Sequence, residues 1–110
     1  MYTDASLKNG LGFYLKQQQP DKSWRTIQVG SRTLQEAETR YAPIELELKA
    51  IEYAVKKCHT FLMGTKFKLF TDHRPLVNIC NKKRLDEVDN TRMLRTLIKL
   101  MDYNFTVEYI

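Results

Sequence analysis

"LFTDHRPLVN", residues 69–78, joins an apolar run ending in Thr-Asp to a turn and a helical pattern. A similar segment, "YTDAS", occupies residues 2–6. The alternation in "KFKLFTD", residues 66–72, predicts a strand with every second side chain on one face. If the strands at both segments are neighbours, their two aspartates meet at one edge of a sheet.

The remaining sequence predicts three strands before the first long helix and one strand after the last helix. Asn9-Gly10 and the Pro-Asp-Lys segment at 20–22 are typical turn sequences, so the first three strands should form an antiparallel meander. The predicted elements are strands at 1–6, 11–19, 23–34, 66–72 and 105–110, and helices from about 44 to the early 60s (ending near Gly64), at 74–81 and at 91–103. This order indicates an α/β domain with a mixed sheet, in which helical crossovers add the last two strands.

Composition limits the possible classes of protein. The chain has 110 residues, of which 43% are hydrophobic and 28% charged, so it can bury a core and form one domain. No apolar run reaches membrane-spanning length, and no signal peptide is visible, so no membrane partner is expected. Cys58 and Cys80 lack CxxC spacing, which favours buried free thiols and a reducing compartment. The net charge of +5 fits either a polyanionic partner or a modestly basic solvated surface.

The long helix carries acidic residues on two sides. At about 100° per residue, Glu47 falls on the same side as the apolar Ile51 and Ala54. Glu45 and Glu52 fall on the opposite side, each followed four residues later by a lysine, so they are predicted to face solvent. A buried, isolated carboxylate costs several kcal/mol unless it is paired or binds a metal.

Asp4, Glu47 and Asp72 are therefore candidate metal ligands. Three acidic side chains can share a site only if cations neutralise them. Oxygen ligands select hard ions, which indicates Mg²⁺ or Mn²⁺ rather than Zn²⁺. A pair of such ions is suited to phosphate chemistry.

The same residues also fit structural roles. Asp4 and Asp72 could cap turns, where aspartate is common. Glu47 could pair with Arg32 or Arg40. Spacing alone leaves these alternatives open.

Five motifs in this order resemble the ribonuclease H domain of gypsy-type LTR-retrotransposon polyproteins, which follows the reverse transcriptase. The motifs are TDAS at 3–6, SRTL at 31–34, AExxY at 37–41, ExExxAI at 45–51 and GxxFxLxTDHxPL at 64–76. The resemblance extends over essentially the whole chain. It implies a ribonuclease H-like fold with sheet order 3-2-1-4-5 and covering helices.

The resemblance also implies an activity: metal-dependent endonucleolytic hydrolysis of the RNA strand of RNA–DNA hybrids during reverse transcription, by a two-metal-ion mechanism. Position by position, the family's catalytic, metal-binding carboxylates match Asp4, Glu47 and Asp72. The implied cofactor is Mg²⁺, with Mn²⁺ as a substitute. The implied partners are the hybrid and the reverse transcriptase domain of the same polyprotein, and the implied location is intracellular, in a cytoplasmic retroelement particle.

One feature of the family is missing. The family places a fourth acidic residue after the last strand, whereas this chain ends at Ile110, and Asp102 lies before that strand. We therefore expect residues 1–110 to be a single domain, truncated C-terminally before the fourth acidic residue. The missing ligand favours a second hypothesis, a non-catalytic ribonuclease H-like module that binds nucleic acid or braces a polymerase.

Five further residues are candidate contacts to nucleic acid: Ser6, Arg74, Lys82, Lys83 and Arg84. Each has a simpler alternative. Ser6 could cap a turn, Arg74 could pair with Asp72, and the basic residues at 82–84 could form a solvated charge run.

Overall fold

The computed structural model describes residues 1–6, 8–82 and 90–110, with Lys82 described for its backbone alone. The five predicted strands are present within these ranges. They are β1 (Tyr2–Ser6), β2 (Gly10–Gln18), β3 (Trp24–Arg32), β4 (Lys66–Thr71) and β5 (Asn104–Tyr109). The helices are α1 (Pro43–Lys57), α2 (His59–Leu62), α3 (Arg74–Lys82) and α4 (Thr91–Leu100), and a 3₁₀ turn spans Glu36–Arg40.

The sheet has the order β3-β2-β1-β4-β5. The first three strands pair antiparallel, whereas β4 pairs parallel with both β1 and β5. A crossover through α1 and α2 leads to β4, and a second one through α3 and α4 leads to β5. The predicted mixed sheet is confirmed in order and in direction.

The turn into β2 depends on Gly10, whose φ of +84° lies in the left-handed region. A Cβ built at this position would lie 2.1 Å from the carbonyl oxygen of Arg32 on β3. Glycine is the residue that tolerates both the conformation and the close approach. This contact fixes where β2 starts relative to β3.

The first helix is shorter than the sequence predicts. Cys58 has φ −101° and ψ 16°, which ends α1 and separates it from the four-residue α2. Gly64, with φ +78°, follows α2, so only the second, short helix ends near the residue where the sequence predicts the end of the first.

The core lies between the sheet and α1. Phe13 and Leu15 of β2 belong to the same buried cluster as Leu48 and Ile51 of α1. Leu11 of β2 is buried as well. Both cysteines are buried free thiols, as the sequence predicts. Among the described residues, none of the helices combines the length and the hydropathy needed to cross a membrane.

One prediction for α1 is wrong. Glu45 and Glu52 are only 8% and 4% exposed, although their helical spacing placed them on a solvent face. Helix α4 packs against this side of α1, and Arg92 and Lys99 of α4 form ion pairs with the two carboxylates. The second side of α1 is therefore also an interface.

Candidate metal centre

The parallel pairing of β1 and β4 brings the two aspartates to the same end of the sheet. Tyr2 of β1 pairs with Phe70 of β4, so the carboxyl ends of both strands point the same way. Asp4 lies in β1, and Asp72 follows the last residue of β4. Both aspartates are exposed, and the backbone N–H of Ala5 donates a 2.9 Å hydrogen bond to Oδ1 of Asp4.

Glu47 approaches the same point from α1, which packs over β1 and β2. Its side chain is buried, and its Oε2 atom has no hydrogen-bond partner within the described part of the chain. Burial, followed by the negative charges of Asp72 and Asp4, raises the pKa of Glu47 to about 7. A backbone hydrogen bond from Ala5 acts weakly in the opposite direction.

Oxygen atoms of Asp4, Glu47 and Asp72 all lie within 4.8 Å of one another. Carboxylates this close repel each other, and the Oε2 atom of the buried one has no donor among the described residues. The donor set consists of oxygen atoms alone, which Mg²⁺ and Mn²⁺ prefer. The residues present therefore fit a hard divalent cation.

Neither of the alternative partners proposed for Glu47 pairs with it. The Arg32 guanidinium binds both carboxylate oxygens of Glu38, at 2.7 and 2.8 Å. Neither Arg32 nor Arg40 forms an ion pair with Glu47. The pairing alternative for Glu47 is therefore wrong.

Two of the candidate contacts to nucleic acid lie near the carboxylates. The Ser6 hydroxyl accepts a 2.8 Å hydrogen bond from the N–H of Asn9, which is the turn-capping role. The Arg74 guanidinium lies 4.5 Å from the centre of the Tyr109 ring, a cation–π geometry. Arg74 forms no ion pair with Asp72, within the residues that the structure describes.

The three basic side chains predicted at 82–84 are not among the described parts of the chain. Lys83 and Arg84 lie outside the described residues, and so does the side chain of Lys82. Asp102 precedes β5, whose residue Asn104 pairs with the first residue of β4. Asp102 therefore lies at the opposite end of the sheet from Asp72.

Two sets of buried ion pairs were missed by sequence reasoning. Glu38 is 2% exposed and accepts hydrogen bonds from Arg32 and from the N–H of Gln35, which ties the 3₁₀ turn to β3. The signal was present, since this pair joins the SRTL and AExxY motifs. The second set surrounds Glu45 and Glu52, and nothing in the spacing of α1 alone shows that α4 covers it.

Sequence comparison places the chain among reverse transcriptase polyproteins. The family model described as the RNase H-like domain found in reverse transcriptase matches residues 1–103. The retrovirus-related Pol polyprotein from transposon 297 of Drosophila melanogaster is 35% identical over 108 residues, which is 98% of this chain and 9% of that protein. The corresponding polyprotein from transposon gypsy of the same organism is 44% identical over 75 residues, covering 67% of this chain and 7% of that protein. The chain therefore spans less than a tenth of these curated relatives.

Structural comparison gives the same fold. Two structures of the foamy viral protease-reverse transcriptase, one in complex with RNA/DNA hybrid and one with ds DNA, each superpose with a TM-score of 0.65 and 22% identity. They cover 99% of this chain, which corresponds to 14% and 19% of the two viral chains. The ribonuclease H-like fold is thus confirmed. Since the family model covers nearly the whole sequence, the chain belongs to the family of RNase H-like domains found in reverse transcriptase.

Proposed function

We propose that this chain is an endonuclease domain that hydrolyses the RNA strand of RNA–DNA hybrids during reverse transcription. Asp4, Glu47 and Asp72 would hold its divalent cations, Mg²⁺ or Mn²⁺. Two observations carry the proposal together: oxygens of the three carboxylates lie within 4.8 Å of one another, and the buried Oε2 atom of Glu47 has no hydrogen-bond partner among the described residues. Membership of the family of RNase H-like domains found in reverse transcriptase supports the choice of substrate.

Each residue has a distinct part in the proposed site. Bound divalent cations supply Lewis-acid activation of water and neutralise the charge that develops on the phosphate. Asp4 and Asp72, both exposed, present oxygens at the sheet edge that a nucleic acid can reach. Glu47 is held by the packing of α1, so its carboxylate is oriented before any cation arrives.

Two ions are part of the proposed mechanism, with three carboxylates from this chain as ligands. No fourth acidic group joins this cluster within the part of the chain that the structure describes. That observation favours one alternative, a non-catalytic module that binds nucleic acid or braces the polymerase. The two proposals differ in whether a bound hybrid is cut.

The test is cleavage of a labelled RNA–DNA hybrid in Mg²⁺, with EDTA as the metal-free reference. We expect cutting of the RNA strand alone. Asp72→Asn should reduce the rate by more than about 100-fold, because even residues that only support metal ligands cost about 10–100-fold when changed.

Asp102→Asn is the matched control, since it removes the same charge at the opposite end of the sheet. It should cut like the wild type. Equal losses in Asp72→Asn and Asp102→Asn would contradict the assigned site. Binding of the hybrid without any cutting would establish the non-catalytic module instead.

The proposed partners are the hybrid and a reverse transcriptase domain of the same polyprotein. One solved relative, the foamy viral protease-reverse transcriptase, is described in complex with RNA/DNA hybrid. The proposed location is the cytoplasmic particle of a retroelement.

A further inference from the structure

The interface between α1 and α4 carries five cations around two buried carboxylates. The carboxylates are Glu45 and Glu52. The cations, which we call the cationic face, are Lys49, Lys56, Arg92, Arg95 and Lys99. None of them takes part in the carboxylate cluster described above.

Glu45 is bound by one of these cations. Nε of Arg92 lies 2.7 Å from Oε2 of Glu45, and its Nη2 lies 3.2 Å from Oε1. The guanidinium also stacks on Tyr41, 4.6 Å from the ring centre. Hydrogen bonds from Arg92 hold the pKa of Glu45 below its ordinary value, so this carboxylate stays charged at neutral pH.

Glu52 gathers three lysines. Nζ of Lys49 lies 2.7 Å from Oε2, while Lys99 and Lys56 lie 3.1 and 3.6 Å from Oε1. Burial alone would raise the pKa of Glu52, but the ammonium groups of Lys49 and Lys99 keep it below its ordinary value. One buried negative charge thus holds three ammonium groups close together.

The positive charge of this face exceeds its negative charge by three, against a net charge of +5 for the whole chain. Arg95 is exposed and forms no ion pair within the described ranges. The heads of Lys56, Lys99 and Arg92 remain accessible, with side-chain exposures of 61%, 54% and 55%. These four side chains of the cationic face therefore present positive charge to solvent.

The cations form two rows. Glu45 pairs with Arg92, and Glu52 pairs with Lys99. The second pair therefore lies seven residues after the first in both helices. The helices therefore run parallel, and seven residues correspond to about 10 Å of each row. Between the rows lies a cleft of about 210 Å³ lined by four of the cations and by the Tyr41 ring. A row of about 10 Å spans about three nucleotide steps of one strand, at about 3.4 Å of axial rise each.

We propose that the cationic face binds the phosphate backbone of a nucleic-acid duplex, as a second contact that is separate from the carboxylate cluster. Glu45 and Glu52 lie about 140–200° around α1 from Glu47, so the two sites use opposite sides of one helix. Because buried carboxylates hold the cations in place beforehand, less side-chain entropy is lost on binding. The cationic face would contact phosphates and would not distinguish one base sequence from another.

The proposal does not depend on nuclease activity, and its test avoids cleavage. Binding of a fluorescent 20-base-pair DNA duplex is measured by anisotropy in EDTA, at several salt concentrations. The test variant is Lys56→Gln with Arg95→Gln, which leaves the contacts of Lys49 and Arg92 intact. We expect binding at least about tenfold weaker at ~0.1 M salt, and a salt slope shallower by about two units, because each phosphate contact contributes about 0.9 to that slope.

The matched control is Lys22→Gln with Arg25→Gln, which removes two exposed positive charges from the hairpin of β2 and β3. It should keep most of the affinity and the salt slope. A charge-preserving variant, Lys56→Arg with Arg95→Lys, should bind like the wild type. The proposal is overturned if the test and control variants lose affinity equally, or if the wild-type protein binds no duplex. In either case the cationic face would suit an acidic protein surface instead.

Discussion

Replacing Glu47 by glutamine should stabilise the metal-free protein at alkaline pH. Burial and the charges of Asp72 and Asp4 raise the pKa of Glu47 from 4.5 to about 7. Between these two values the native state holds a proton that the unfolded state has lost, so the free energy of unfolding falls as the pH rises. The stabilisation from the protonated form is complete below about pH 4.5 and is lost as the pH passes about 7.

The size of the effect follows from the shift. One pKa unit corresponds to about 1.36 kcal/mol, which sets an upper bound of about 3 kcal/mol for the cost of ionising Glu47 in the fold. The neighbouring aspartates are exposed, so solvent screens part of their repulsion, and we expect about 1–2 kcal/mol. Glutamine has nearly the shape of glutamic acid and does not ionise, so it removes this cost.

The assay is urea unfolding of the wild type and Glu47→Gln in EDTA, at pH 4 and pH 8. The two proteins should be nearly equally stable at pH 4, below the unfolded-state pKa, and the variant should be more stable by about 1–2 kcal/mol at pH 8. Added Mg²⁺ should stabilise the wild type at pH 8 by RT ln(1 + [Mg²⁺]/Kd) and should have much less effect on the variant.

Glu52→Gln is the matched control on the same helix. Its carboxylate is paired with lysines, so the loss of its charge should destabilise the protein at pH 8. If Glu47→Gln is also destabilising at pH 8 without metal, Glu47 has a stabilising partner, and the argument for an unpaired ligand fails.

Two further predictions concern the frame of the site. Glu38→Gln should lower the free energy of unfolding, measured by urea unfolding, by about 2–4 kcal/mol. The substitution breaks a buried ion pair and leaves Arg32 without its bidentate acceptor. A loss below about 0.5 kcal/mol would show that the pair contributes little to stability. By the same measurement, Gly10→Ala should lower the free energy of unfolding by more than about 2 kcal/mol, because its Cβ would lie 2.1 Å from a carbonyl oxygen. Gly12→Ala, whose Cβ would have its nearest contact at 3.8 Å, should lower it much less. Equal losses in the two variants would contradict the steric explanation.

Local patterns in the sequence were enough to predict the strands and a mixed sheet, whereas the strand order was implied by the family resemblance. The alternation in β2 and β4 predicts which side chains are buried, and the structure buries Leu11, Phe13 and Leu69 accordingly. The end of α1 was harder to predict, because Cys58 adopts a non-helical conformation that its side chain does not require. Helix boundaries of this kind depend on tertiary packing, which single-residue preferences do not include.

The burial of α1 could be predicted on one side only. Apolar residues at helical spacing identify the side that faces the sheet, and they correctly place Glu47 there. The other side has alternating charges, a pattern that is typical of a solvent-exposed helix. Helix α4 covers that side through ion pairs, so hydropathy gives no sign of the contact.

The glutamates of α1 show why burial alone does not identify a functional acid. Glu45, Glu47 and Glu52 are all less than 9% exposed, and all lie in one helix. Nearby cations match the negative charge of Glu45 and exceed that of Glu52, and these ion pairs account for the burial of both side chains. Glu47 faces two further negative charges and has no compensating cation in the described chain, so its burial lacks a structural explanation. A buried carboxylate that has no neutralising cation among the described residues is the one that we propose as a metal ligand.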